Sequence, residues 1–112
     1  MDQTNDLACY CHWGGERKVK DGLATYEGGV IDLITVNTNT TFDEFAIDAC
    51  DALGISAIGK TFHYSNKKDA MKLIRLQDKR GLDMMCRFNN DTVDVYVSEA
   101  TINSPRCVRS TR

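Results

Sequence analysis

The chain has 112 residues, of which 42% are hydrophobic and 27% charged, enough for one small domain with a modest core. It has no apolar run near the length of a membrane span, and its start, MDQTNDLACY, lacks the basic and apolar parts of a secretory signal. No membrane association is expected, and the five cysteines are expected to be reduced in an intracellular protein. Residues 1–64 carry four basic and ten acidic residues, whereas residues 65–112 carry ten and six. This division of charge favours head-to-tail contacts between copies or two different partners.

The stretch CYCHW, which begins at Cys9, raises the question of a zinc or redox site. Its alternation predicts a strand with Cys9, Cys11 and Trp13 on one face and Tyr10 and His12 on the other. Side chains two apart in a strand are near the limit for a disulfide. Zinc sites usually contain C-x-x-C or H-x-x-x-H pairs, which this sequence lacks. The sequence therefore predicts buried, reduced, metal-free cysteines that pack as small hydrophobic groups.

Glycine-rich turns frame the next segment. Gly14 and Gly15 lead into a short basic strand, residues 17–20, and Gly22 marks a second turn. Neither a Walker nor a dinucleotide glycine pattern is present, so a hairpin is favoured over a phosphate-binding loop. The β-branched run VIDLITVN, which begins at Val30, predicts a further strand.

An amphipathic helix is predicted in TTFDEFAIDACDALG, with a capping box formed by Thr41 and Glu44 and a stop at Gly54. Its apolar stripe consists of Phe42, Phe45, Ala46, Ala49 and Leu53. Its other face is acidic and consists of Asp43, Glu44, Asp48 and Asp51. These carboxylates are interpreted as a solvent-facing helix surface rather than as a catalytic pair.

The second half predicts two strands, residues 60–65 and 71–77, separated by the turn NKKDA. A short helix follows, with Asp78 as its N-cap and with Leu82, Met85 and Cys86 facing inward. The stretch DTVDVYVSE then predicts a closing strand whose valines face the core.

These elements predict an α+β fold of the β-grasp type, a mixed four- to five-stranded sheet with two helices on one face. The last strand is expected to pair centrally with the first, because both are strongly apolar. Residues 1–7 are expected to be a disordered N-terminus, 8–99 the domain and 100–112 a flexible tail or linker. The helix residues Phe42, Phe45, Ala49 and Leu53 are expected to pack on sheet residues Ile31, Leu33, Ile74, Val93, Val95 and Val97.

Four segments carry a resemblance to a known family: CHWGGERKVKDGLATYEGG, IDL with TTFDEF, HYSNKKDAMKLIRLQDKRGLDMM and TVDVYVSE. They resemble the ubiquitin-like Phox-and-Bem-type (PB-one) domain, and more closely its version in plant domesticated Mutator-like transposases, the MUSTANG group. The resemblance spans about residues 8–98, and CHWGGE and the pair Gly28–Gly29 are its most specific parts. It implies a protein–protein interaction module of a nuclear protein whose transposase-derived region and zinc knuckle would lie C-terminal to this chain.

In the PB-one family, a lysine on the first strand of one domain binds an acidic cluster of another. Here the lysine position falls near Cys9, and only Asp69 and Asp78 remain of the acidic cluster. Basic residues surround them instead: Lys67, Lys68, Lys72, Arg75, Lys79 and Arg80. This pattern argues against a standard front-to-back pair.

Two functions remain open. In the first, the basic region 67–80 binds an acidic protein surface, such as the acidic helix face of another copy or of another PB-one domain. In the alternative, the same region contacts the phosphates of a nucleic acid, although no aromatic ladder accompanies it and the net charge is −2. The basic residues could also simply solubilise an exposed sheet edge. No enzyme, catalytic residue, metal or cofactor is predicted, because His12 and His63 lie on strands without a recognisable nucleophile and base.

Overall fold

The computed structural model describes residues 6–66, 69–89 and 91–100, without the side chains of residues 66 and 69–71. The elements are β1 (Leu7–Trp13), β2 (Glu16–Lys20), β3 (Leu23–Glu27), β4 (Val30–Val36), α1 (Phe42–Leu53), β5 (Lys60–Asn66), β6 (Asp69–Leu76), α2 (Lys79–Phe88) and β7 (Thr92–Glu99). Strand β1 includes Leu7, which lies in the segment predicted to be disordered. The predicted tail, apart from residue 100, lies outside the described residues.

Five strands form a mixed sheet in the order β4-β1-β7-β5-β6. Strands β1 and β7 pair in parallel at its centre, and the other neighbours are antiparallel. The predicted central pairing of the first and last strands is therefore confirmed. Both helices contribute to one core with the sheet, which confirms the α+β, ubiquitin-like β-grasp prediction.

Helix α1 begins and ends as its sequence predicts. The Thr41 hydroxyl accepts a hydrogen bond from Glu44 N at 3.1 Å, and Thr41 N donates to Glu44 Oε1 at 3.0 Å. At the other end Gly54 has a φ of 76°, a left-handed conformation that glycine adopts at little cost. These caps fix where α1 begins and ends, and its apolar residues Phe45, Ala46, Ala49 and Cys50 are the ones it buries.

The core lies between the helices and the central strands. Phe45 packs edge-on against Phe62, with 5.4 Å between ring centroids, and Phe42 packs against both. Cys9 and Cys11 are fully buried with free thiols, as predicted. Trp13 is partly buried against the core, and Lys60 Nζ lies 5.3 Å from the centroid of its ring.

Strands β2 and β3 form a separate two-stranded hairpin. Strand β2 was predicted from the sequence. The segment LATYE, which forms β3, was not predicted as a strand. The hairpin leaves β1 and returns to β4 where Gly15 and Gly29 approach each other closely. Tyr26 of β3 contacts His12 of β1, so the hairpin leans on the sheet face opposite the helices.

The core prediction was wrong for β4. Ile31 and Leu33 pair with His12 and Tyr10 on the face away from the helices, and Ile31 is 56% exposed. The β4 residues that pack on the core are Ile34 and Val36. The run VIDLITV is apolar on both faces, so alternation did not identify its buried side.

The core prediction also needs correction in β6. Ile74 pairs with Tyr64 on the helix face but remains partly exposed, whereas Leu76 is buried. Both residues lie on the edge strand β6, but Ile74 lines the groove between β6 and α2, where it is 38% exposed. Within the described residues, no helix is long and apolar enough to cross a membrane.

Candidate interaction surface

The acidic face of α1 is a continuous exposed surface. Asp43, Glu44, Asp48 and Asp51 are all exposed, as predicted. Glu44 is used in the capping box, whereas Asp43, Asp48 and Asp51 form no ion pair with any residue that the structure describes. Ile47 lies among them and is 53% exposed. We call Asp43, Ile47, Asp48 and Asp51 the acidic ridge.

The basic residues of β6 do not share one surface. Arg75 pairs with His63 on the sheet face away from the helices. Lys72 lies an odd number of residues from Arg75 and therefore points to the opposite face, the one that carries Ile74. Lys67 and Lys68 lie outside the described residues. Of the predicted basic residues on β6, only Lys72 shares the helix side of the sheet.

The start of α2 uses two of the predicted site residues for its own structure. The Asp78 carboxylate accepts a hydrogen bond from Gly81 N at 2.9 Å, so this residual acidic-cluster position is the N-cap of α2. Lys79 Nζ lies 3.0 Å from Asp83 and donates to the carbonyl oxygens of Thr38 and Thr40. Lys79 therefore connects α2 to the loop before α1 and contributes little to a free basic surface. The side chain of Asp69 lies outside the described residues.

Arg80 is exposed beside an apolar groove between β6 and α2. The groove has a volume of about 510 Å³, and Tyr64 and Gly81 are among the residues that line it. Its exposed apolar residues are Ile74, Met84 and Phe88, and Phe88 is 63% exposed. We call the surface formed by Ile74, Arg80, Met84 and Phe88 the α2 groove. Arg87 is exposed and lies beside Met84.

The two histidines have structural surroundings. His12 Nε2 lies 3.0 Å from Asp94, and the His12 ring stacks on Tyr96 with 4.9 Å between centroids. Burial, together with the positive charge of Arg75, lowers the pKa of His63 below its usual value. Both histidines lie on the sheet face away from the helices.

The buried thiols are held in their neutral form. Burial raises the pKa of the Cys11 thiol to about 12, and burial likewise raises the pKa of Cys9. The described part of the chain contains no group of three or more His, Cys, Asp or Glu residues that could hold a metal. Protonated thiols of this kind are poor nucleophiles and poor metal ligands.

Sequence reasoning missed the exposed apolar residues of both surfaces. Ile47 falls in the interior of a helix whose acidic face was identified only by its charges. Met84 and Phe88 lie in a short helix for which only the inward-facing residues were predicted. A helical projection that marks apolar residues outside the buried stripe would have found all three.

No protein-family model matches the chain, and no curated protein matches it. Among solved structures, the chain is similar to a PB1 (PB-one) domain in the cryo-EM structure of an AtNBR1-PB1 filament of the L-type. The TM-score is 0.60, the identity is 14%, and the match covers 86% of this chain and 99% of that one. The structure described here therefore has the ubiquitin-like β-grasp fold of a PB1 domain.

Proposed function

We propose that the chain is a protein–protein interaction module that associates through its charged surfaces, as an oligomerisation or scaffold domain. The observation that carries this proposal is the acidic ridge, whose three carboxylates have no ion pair among the described residues. The fold supports it, because the similar PB1 domain was solved as a filament. The partner is another copy of this chain or another PB-one domain that offers basic groups.

The basic side of the association includes Lys72 and Arg80, which lie on the helix side of the sheet, and Lys67 and Lys68 beside them in sequence. Single exposed ion pairs contribute only about 0 to 1 kcal/mol, so several must act together. We therefore expect reversal of Lys67, Lys68 and Lys72 to glutamate to abolish association while the fold remains intact. Light scattering of the purified domain measures association, and circular dichroism measures whether the fold is intact.

The matched control replaces Arg17, Lys18 and Lys20 of β2 by glutamate. This variant changes the net charge by the same amount as the test variant, but on the opposite side of the sheet. If both triple variants lose association equally, net charge rather than a surface explains the result. A gel shift with random duplex DNA tests the nucleic-acid alternative. Tight DNA binding by the isolated domain, without protein association, would overturn the proposal in favour of that alternative.

We further propose, from the motif resemblance alone, that the domain belongs to a transposase-derived nuclear protein of plants. The motifs CHWGGE and Gly28–Gly29 support this context. The transcript that encodes the chain is then expected to continue past Arg112 into a transposase-derived region. A fluorescent fusion of its product is expected in the nucleus, and exclusion from the nucleus would contradict the proposal.

A further inference from the structure

The acidic ridge has an apolar centre between two charges. Asp43, Ile47 and Asp51 are spaced by four residues and therefore lie in one line along α1, with Asp48 beside Ile47. A solvated helix face does not need an isoleucine at its centre, and Ile47 is 53% exposed. The ridge therefore has the pattern of a surface that buries Ile47 against a partner while its carboxylates meet basic groups.

The α2 groove has the complementary pattern. Along α2, Met84 lies between Arg80 and Arg87, and Ile74 and Phe88 widen the apolar centre. The acidic residues of this region are Asp78, which accepts a hydrogen bond from Gly81 N, and Asp83, which pairs with Lys79. Residues 72–88 carry five basic and two acidic residues, so the region is basic. The exposed arginines therefore dominate the charge that a docking partner meets.

The two patterns also match in length. Asp43 and Asp51 are eight residues apart, or about 12 Å along a helix, and Arg80 and Arg87 are seven apart, or about 10.5 Å. In both helices the exposed apolar residue lies between the charges. One helix laid along the other would place each carboxylate near an arginine with Ile47 against Met84.

We propose that α1 of one copy docks into the α2 groove of the next copy, with Ile47 inserted among Ile74, Met84 and Phe88. This inference rests on the proposed function and specifies its contacts. The acidic ridge and the α2 groove share no residue, so one copy uses both at once. Such a head-to-tail contact either closes into a ring or continues as a chain of copies.

Two single substitutions test the contact from its two sides. Ile47→Lys places a positive charge in the basic, apolar α2 groove, and Met84→Glu places a negative charge opposite the acidic ridge. Each is expected to weaken self-association by roughly tenfold or more, measured by sedimentation velocity over a concentration series. Leu23→Lys is the matched control, because Leu23 is a 69% exposed aliphatic residue on β3. It is expected to associate like the wild type.

Mixing the two weakened variants gives the decisive result. The Ile47→Lys protein retains an intact α2 groove, and the Met84→Glu protein retains an intact acidic ridge. An equimolar mixture is therefore expected to form heterodimers at concentrations at which each variant alone stays monomeric. Circular dichroism of each variant checks the fold, and a variant that unfolds is replaced by the milder Ile47→Ser or Met84→Gln.

The outcomes separate this inference from the proposed function. If the wild type associates and both folded variants associate as strongly as the wild type, the proposed docking contact is wrong, whereas the proposed interaction function is not contradicted. If both variants are weakened but their mixture stays monomeric, the two surfaces do not bind each other and the inference is overturned. If the wild type stays monomeric up to about 1 mM, both this inference and self-association through the charged surfaces fail.

Discussion

Phe45 is the residue on which the helix side of the core depends most. None of its side chain is exposed, and its ring contacts both Phe42 and Phe62. Replacement by alanine removes this contact and leaves a cavity, at a cost of about 3 to 5 kcal/mol in the free energy of unfolding. Urea denaturation measures the loss, and Ile47→Ala on the exposed side of the same helix is the control. Equal stability of Phe45→Ala and the wild type would contradict the packing of α1.

The buried thiol of Cys11 makes the stability of the fold decrease at alkaline pH. Its thiol has a pKa of about 12 in the folded protein because it is buried, against 9.0 for an ordinary thiol. The folded state therefore favours the neutral thiol, and the stabilisation is complete below pH 9.0 and is lost as the pH rises toward about 12. We expect the free energy of unfolding to fall over this range, and to fall less steeply in Cys11→Ala. Parallel pH profiles for the two proteins would contradict this assignment.

Whether Cys9 and Cys11 bind zinc can be tested directly on the purified protein. Both side chains point into the core between the sheet and the helices, where a metal would have to replace apolar contacts. We therefore expect a metal-free pair, and elemental analysis of the purified protein checks this expectation. Stoichiometric zinc would show that the two thiols are ligands.

At the level of elements, the β2–β3 hairpin depends on glycine at its base. Gly29 has a φ of 73°, and a Cβ there would collide with the carbonyl oxygen of Trp13 and the backbone nitrogen of Gly15. Gly22 has a similar φ of 79° but open space around it. We expect Gly22→Ala to cost about 1 to 2 kcal/mol for the backbone conformation alone, and Gly29→Ala to cost clearly more. Thermal denaturation compares the two, and equal losses would show that close approach is unimportant.

The helices and strands differ in how well their buried faces could be predicted from the sequence. Helix α1 has one apolar stripe, caps at both ends and an acidic face, so its position was predicted correctly. Strand β4 is apolar on both faces, and only its pairing with β1 decides that Ile34 rather than Leu33 faces the core. Strand β3 was missed because LATYE is short and exposed, and its role depends on the contact between Tyr26 and His12.

The same limit applies to the candidate site. The predicted basic residues are neighbours in the sequence, but proximity in sequence does not give a shared surface. Arg75 lies on the face of β6 away from Lys72. Lys79 is bound to Asp83 and to the loop before α1, a contact 39 residues away in sequence that no local pattern indicates.

For the whole molecule, association is expected to depend on ionic strength. The acidic ridge lies in the part of the chain with an excess of acidic residues, and the α2 groove in the part with an excess of basic ones. Raising the salt from about 0.1 M to about 1 M shortens the Debye length from about 10 Å to about 3 Å, which weakens attraction between exposed charges. Light scattering is expected to show smaller assemblies at high salt. Assemblies that grow with salt would indicate an apolar interface instead.

Among the strands that the structure describes, β4 lies at one edge of the sheet, and this position matters for any such assembly. Val30–Val36 is a strand of high β-propensity without proline, and Asp32 is its only charged residue. The Asp32 carboxylate also accepts a hydrogen bond from Leu33 N at 2.8 Å and thereby occupies a backbone donor of the edge. A protein that gathers many copies of itself brings many such edges together. Asp32 therefore opposes the addition of a further strand at this edge, and we expect its replacement by a neutral residue to favour aggregation.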